Sequence, residues 1–217
     1  MSELLFKVII IGDATVGKTS FVQRYVHNHP RREYKPTVGV DFALKVIKLS
    51  DDTTVRLQLW DIAGQERFTS MTRVYYKGAA ACVIMFDLTS QQTFNSTIKW
   101  KRDLDRKCTL PNGKTIPCIL VGNKSDLSTR PVEKEAIDQM CRENAFLGWT
   151  EMSVKEDVNV TETMDYLLTE LMDNYKKDEE KDVQNKTGAD QGGFIELSSH
   201  KTAKENTSKS GCGCSSL

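Results

Sequence analysis

The chain has 217 residues, with 30 Lys plus Arg against 30 Asp plus Glu and a formal net charge of zero. That balance excludes a global field that would recruit nucleic acid or an anionic membrane by charge alone. The first residues carry neither a basic n-region nor an apolar run long enough for a signal peptide or a membrane span, so the chain is expected to stay in the cytosol with Cys82, Cys108, Cys118 and Cys141 of its six cysteines reduced.

In chain order, Val8 to Ile11 is a short, continuous apolar run, as are Ala81 to Phe86 and Cys118 to Val121. Such runs suit central strands of a parallel sheet covered on both faces. Helical patterns near 17–27, 91–107, 131–144 and 159–175 alternate with them, which predicts an α/β doubly wound fold. One pair breaks the alternation: 38–49 and 54–60, joined by Ser50-Asp51-Asp52-Thr53, read as a hairpin. A mostly parallel sheet with one antiparallel edge strand follows, with the folded domain over 1–175. From Lys176 the composition turns charged, then rich in Ser, Thr, Gly and Asn, and is expected to be a disordered tail over 176–217.

Between the first strand and first helix stands Gly12-Asp13-Ala14-Thr15-Val16-Gly17-Lys18-Thr19, which fits G-x-x-x-x-G-K-[ST]. A strand, a loop of inward N–H groups and a helix N-terminus make a phosphate cradle. Lys18 would reach the outer phosphates, the Thr19 hydroxyl would hold Mg²⁺, and Ser20 follows it into the cradle. Alone, the pattern also fits a loop of no chemical interest. Ligands of such sheets bind beyond the carboxyl ends of the strands, and there further candidates stand. After Trp60 come Asp61, suited to hold Mg²⁺ through water, Gly64, whose N–H can approach a terminal phosphate, and Gln65, suited to orient an attacking water. After Val121 come Asn123, Lys124 and Asp126; a carboxylate at Asp126 accepts from N1 and the 2-amino group of guanine, a pair adenine lacks. Ser153, Val154 and Lys155 follow the next strand, with backbone N–H groups suited to guanine O6. Read singly, Asp61 is equally a helix cap and 123–126 a polar turn; the order of all of them after successive strands favours a nucleotide.

Together these residues resemble a Ras-superfamily small GTPase of the P-loop NTPase fold, with a six-stranded sheet and helices on both faces. Thr37 to Phe42, Trp60 to Phe68 and Tyr75 to Ala79 resemble the Rab family. Ile62, 41–46 and 110–113 resemble the Rab thirty-two and thirty-eight branch, and 68–73, 81–87 and 153–156 lean toward its twenty-nine member. The resemblance implies a slow GTP-hydrolysing switch in vesicle traffic. Tyr34 and Thr37 would lie in the first switch, with Thr37 on Mg²⁺; the second switch would run from Asp61 to about Tyr76; Gln65, Lys18 and Thr37 would carry catalysis; and Phe42, Trp60 and Tyr75 would form the aromatic triad read by effectors. It further implies an exchange factor, a GTPase-activating protein, a GDP-dissociation inhibitor and a prenylation escort as partners. Thr69 and Ser70 are candidates for a switch kinase. The end, Cys212-Gly213-Cys214-Ser215-Ser216-Leu217, fits geranylgeranylation of Cys212 and Cys214. Residence on the cytoplasmic face of trans-Golgi, endosomal or lysosome-related membranes, with a cytosolic pool, is the expectation.

Three residues depart from the family pattern: Pro30 where a Phe usually packs on guanine, Thr15 where Gly or Ala is commoner, and Val154 where Ala is usual. Pro30 makes a fast-exchanging, weakly hydrolysing binding module an alternative. A metabolic P-loop kinase is a third reading, opposed by Asn123 to Asp126 and the lipidation end.

Overall fold

The computed structural model describes residues 2–28, 36–65 and 72–188. In chain order the elements are β1 (Ser2–Ile11), α1 (Lys18–His27), β2 (Val40–Lys48), β3 (Thr53–Ile62), α2 (Thr72–Tyr76), β4 (Ala81–Asp87), α3 (Gln91–Lys107), β5 (Cys118–Asn123), α4 (Lys134–Glu143), β6 (Gly148–Glu151) and α5 (Val160–Gly188). The described strands form a sheet in the order β2-β3-β1-β4-β5-β6. Only the β2–β3 pair among them is antiparallel, placing β2 at an edge, as the hairpin chemistry of 50–53 predicts.

Strand alternation divides the core in two. Val8 and Ile10 of β1 enter one cluster with Phe21, Tyr25, Leu167 and Leu171, under α1 and α5. Ile9 and Ile11 point the other way, into a cluster with Phe86, Trp100, Leu104 and Ile137, under α3 and α4. Every residue of β4 and β5 is buried, which is why those segments read as unbroken apolar runs rather than alternating ones. Cys82, Cys108, Cys118 and Cys141 are free thiols buried in the second cluster.

Two boundary differences bear on the site and on the domain's end. β3 runs beyond Trp60 to Ile62, so Asp61 is a strand residue fixed by ladder pairing with Asp41. The last helix, expected to stop at 175, continues to Gly188. Lys and Glu are good helix formers, and the spacings Asp173–Lys177 and Lys176–Glu180 set opposite charges one turn apart, so helix persists through the exposed residues 176–180. By contacts the chain divides into Met1–Asp178 and a second unit beginning at Glu179, whose described residues are helical.

Candidate nucleotide site

The carboxyl ends of β1, β3 and β5 and the loop after β6 border one cavity of about 910 Å³, in the range of small-molecule sites. Its wall is built from Ala14, Thr15 and Gly17 to Ser20 on one side, 36–39 and Ala63 to Gln65 on another, and Asn123, Lys124, Asp126, Leu127, Val154 and Lys155 at the far end. Asp13, Val16, Asp61 and Ser153 are absent from the lining and act on it from behind.

Between β1 and α1 the backbone turns sharply. Gly17 sits at φ 106°, where a Cβ would lie 2.3 Å from the Asn123 Nδ2. Thr15 adopts φ 65°, a left-handed conformation uncommon for a β-branched residue. Two ties fix the loop: the Trp100 Nε1–H donates to Asp13 Oδ1 at 2.8 Å, and the Asn123 Nδ2 donates to Val16 O at 2.9 Å. Lys18 is buried, and its ammonium donates to the carbonyls of Gly12 and Asp13, each at 2.8 Å. Burial lowers its pKa to about 8, against the opposing pull of Asp61 and Asp13. A cation held this way is short of negative charge, which a phosphate supplies.

Beside Lys18, hard oxygens converge from separate elements. Thr19 Oγ1 is 2.7 Å from Thr37 Oγ1, Thr19 also donates to Asp61 Oδ2, and Thr37 lies 3.4 Å from that oxygen. Asp61 is buried, which raises its pKa against the hydrogen bonds and the Lys18 charge, and its Oδ1 is buried without a hydrogen-bond partner. Two hydroxyls and a carboxylate carrying an unsatisfied buried oxygen fit Mg²⁺, which takes few protein oxygens and keeps water for the rest.

At the far end, Asn123 accepts from the Val154 N–H at 3.1 Å through Oδ1, so one side chain joins the β5, β6 and phosphate loops. Asp126 Oδ1 accepts from Ser153 Oγ at 2.7 Å, with Lys155 Nζ 3.7 Å from Oδ2. The Ser153 hydroxyl is the main cause holding the Asp126 carboxyl below its ordinary pKa. Lys124, at φ 69°, is paired with Asp87 at 2.6 Å.

Phe42 and Trp60 are register partners on β2 and β3, their rings edge-to-face at 4.4 Å. Lys7 Nζ stands 3.4 Å from the centre of the Trp60 ring on the same sheet face. Phe42 is 57% exposed, while Trp60 and Tyr75 are half-buried against the second core cluster. Pro30, Tyr34, Thr69, Ser70, Cys212 and Cys214 lie outside the described residues. Sequence reasoning missed Trp100, Asp87 and Arg24. Asp87 ends β4 at the same sheet edge and was findable by that rule; for Trp100 and Arg24 no local signal exists.

The Ras family model matches residues 7–173. Ras-related protein Rab-7L1 of Rattus norvegicus is 59% identical over 174 residues, covering 80% of this chain and 85% of its own. The chain belongs to the Rab branch of the Ras family. Ras-related protein Rab-32 of Homo sapiens is 48% identical over 184 residues, 83% of this chain and 82% of its own, and Rab-32A of Dictyostelium discoideum is 48% identical over 176 residues, 80% of each. These relatives mark the group containing the thirty-two, thirty-eight and twenty-nine members, Rab-7L1 being the twenty-nine member. As a Rab, the chain binds GTP and GDP with Mg²⁺, hydrolyses GTP, and works with effectors, exchange factors, GTPase-activating proteins and a GDP-dissociation inhibitor. Rabs are peripheral membrane proteins; among the described residues no helix is long and apolar enough to cross a membrane.

Proposed function

We propose that the GTP form recruits effectors to the cytoplasmic face of trans-Golgi, endosomal or lysosome-related membranes, and that hydrolysis releases them. The observation that carries this reading is the convergence of Thr19, Thr37 and Asp61 beside Lys18, because Thr37 comes from a segment separate from the phosphate loop and can report whether a terminal phosphate is there. Thr19, Thr37 and Asp61 would hold Mg²⁺, which neutralises phosphate charge when bound. The N–H groups of 13–19 and the Lys18 ammonium hold the phosphates, Gly64 offers its N–H to the terminal one, and Gln65 orients the attacking water. Asp126 selects guanine and Lys124 covers it; the Ser153 and Val154 N–H groups, expected to meet O6, are instead bonded to Val158 O and Asn123 Oδ1, which leaves O6 to the Lys155 N–H.

Phe42, Trp60 and Tyr75 present the effector face. A kinase acting on Thr69 or Ser70 would add nearly two negative charges beside it. Geranylgeranyl groups on Cys212 and Cys214, delivered with a prenylation escort, anchor the protein. The test compares Thr19→Asn and Gln65→Leu in cells and in single-turnover hydrolysis. Thr19→Asn is expected to be cytosolic, and Gln65→Leu to accumulate on membranes with hydrolysis at least tenfold slower. Identical distributions and unchanged hydrolysis overturn the reading.

A further inference from the structure

Arg24 lies in the last turn of α1, the helix that starts at Lys18, and its side chain is only 11% exposed. It reaches the loop after β6, 130 residues away: Nε donates to Val154 O at 3.1 Å and Nη2 to Lys155 O at 2.9 Å. Nη1 stands 4.0 Å from Asp157 Oδ2, a half-exposed carboxylate at the limit of an ion pair. The well-formed contacts are therefore those to two consecutive carbonyls, a geometry that suits the planar guanidinium fork.

A trans peptide unit sets its C=O and N–H on opposite sides. Holding the Val154 carbonyl toward α1 therefore turns the Lys155 N–H away from α1. The neighbouring donors are accounted for. The Ser153 N–H donates to Val158 O, Val154 to Asn123 Oδ1, and Glu156 to Ser153 Oγ. The Lys155 N–H has no acceptor among the described residues, and Val154 and Lys155 both line the cavity beside Asp126. One side chain thus fixes the direction of the backbone donor that stands on the cavity wall without an acceptor among the described residues.

We propose that Arg24 is a positioning residue for base specificity: by gripping the carbonyls of Val154 and Lys155 it aims the Lys155 N–H at the 6-oxo group of the purine. This rests on the reading that Asp126 and this loop hold guanine. Arg24 then governs recognition of the 6-position separately from the 2-amino group, which belongs to Asp126. It also makes α1 a rigid strut between the phosphate end and the base end of the cavity.

The experiment measures dissociation constants of the full chain by fluorescent-nucleotide competition with GDP, ADP, inosine diphosphate, which lacks the 2-amino group, and 6-thioguanosine diphosphate, which keeps N1–H and the 2-amino group but carries a weaker acceptor at position 6. In the wild type the thio substitution is expected to weaken binding about tenfold. In Arg24→Met that penalty is expected to shrink below about threefold, while the inosine penalty stays unchanged. Arg24→Lys, with a point charge in place of the fork, is expected to lie between them, and serves alone should the Met variant not fold. Asp157→Asn is expected to match the wild type. A thio penalty in both Arg24 variants equal to that of the wild type, whatever their overall affinity, overturns the proposal. A wild type that binds ADP as tightly as GDP overturns the guanine reading itself, a separate result.

Discussion

Thr15 is the residue that sets this phosphate loop apart. A left-handed backbone costs a residue with a Cβ about 1–2 kcal/mol, and a branched Cβ adds crowding. At φ 65° Thr15 carries that cost within the cavity wall. Strain kept at a binding loop is held by its surroundings, here the Trp100–Asp13 and Asn123–Val16 bonds on either side. Replacing it with Gly removes the steric term and adds backbone entropy to the unfolded chain. Thr15→Gly is therefore expected to raise stability by about 0.5–1 kcal/mol in urea denaturation of the GDP-loaded protein. The sequence marked Thr15 as unusual by residue type, but its conformation was not legible, because φ depends on a turn closed by residues more than 80 positions away.

At the scale of elements, the end of β3 and the phosphate loop are in van der Waals contact at Gly64. A Cβ there would lie 2.2 Å from the Ala14 N and 2.5 Å from the Asp13 carbonyl carbon, both backbone atoms that cannot step aside. Gly64→Ala is expected to leave GDP affinity within about threefold and to reduce binding of a GTP analogue at least tenfold, because only the terminal phosphate needs this approach; stopped-flow nucleotide exchange measures both. Elements buried on both faces were the legible part of the fold. β4 and β5 announce themselves as apolar runs, and the hairpin by the turn residues between β2 and β3. α2 is too short to show a period, and the extension of α5 past 175 depends on local charge spacing rather than burial. Of the site, the residues following strand ends could be read in order. The supports behind them could not: Arg24 meets Val154 across 130 residues and Trp100 meets Asp13 across 87, and no pattern within a segment encodes such meetings.

The molecule as a whole has no net charge to hold it at a membrane, which fits the proposed attachment through lipid on Cys212 and Cys214. Each buried CH₂ contributes about 0.8 kcal/mol, and one chain gives only marginal, reversible binding. Replacing Cys212 and Cys214 together by Ser is expected to move the protein from the membrane to the aqueous fraction, while either single substitution leaves partial, reversible binding; nucleotide affinity should be unchanged in all three. Under the proposed lipid attachment, raising salt should leave the wild-type distribution unaltered. Fractionation of cell membranes with nucleotide titration of the same proteins checks these outcomes. The sheet order also distributes the three indoles of the chain over three distinct parts of the molecule. Trp60 lies half-buried under the Lys7 ammonium beside the second core cluster, Trp149 donates to Asp138 Oδ1 between β6 and α4, and Trp100, fully buried, donates to the phosphate-loop carboxylate of Asp13. Because the Trp100 N–H is bonded to the proposed phosphate loop, its ultraviolet emission is expected to serve as a label-free optical gauge of nucleotide loading, readable in the variant where Trp60 and Trp149 are both Phe.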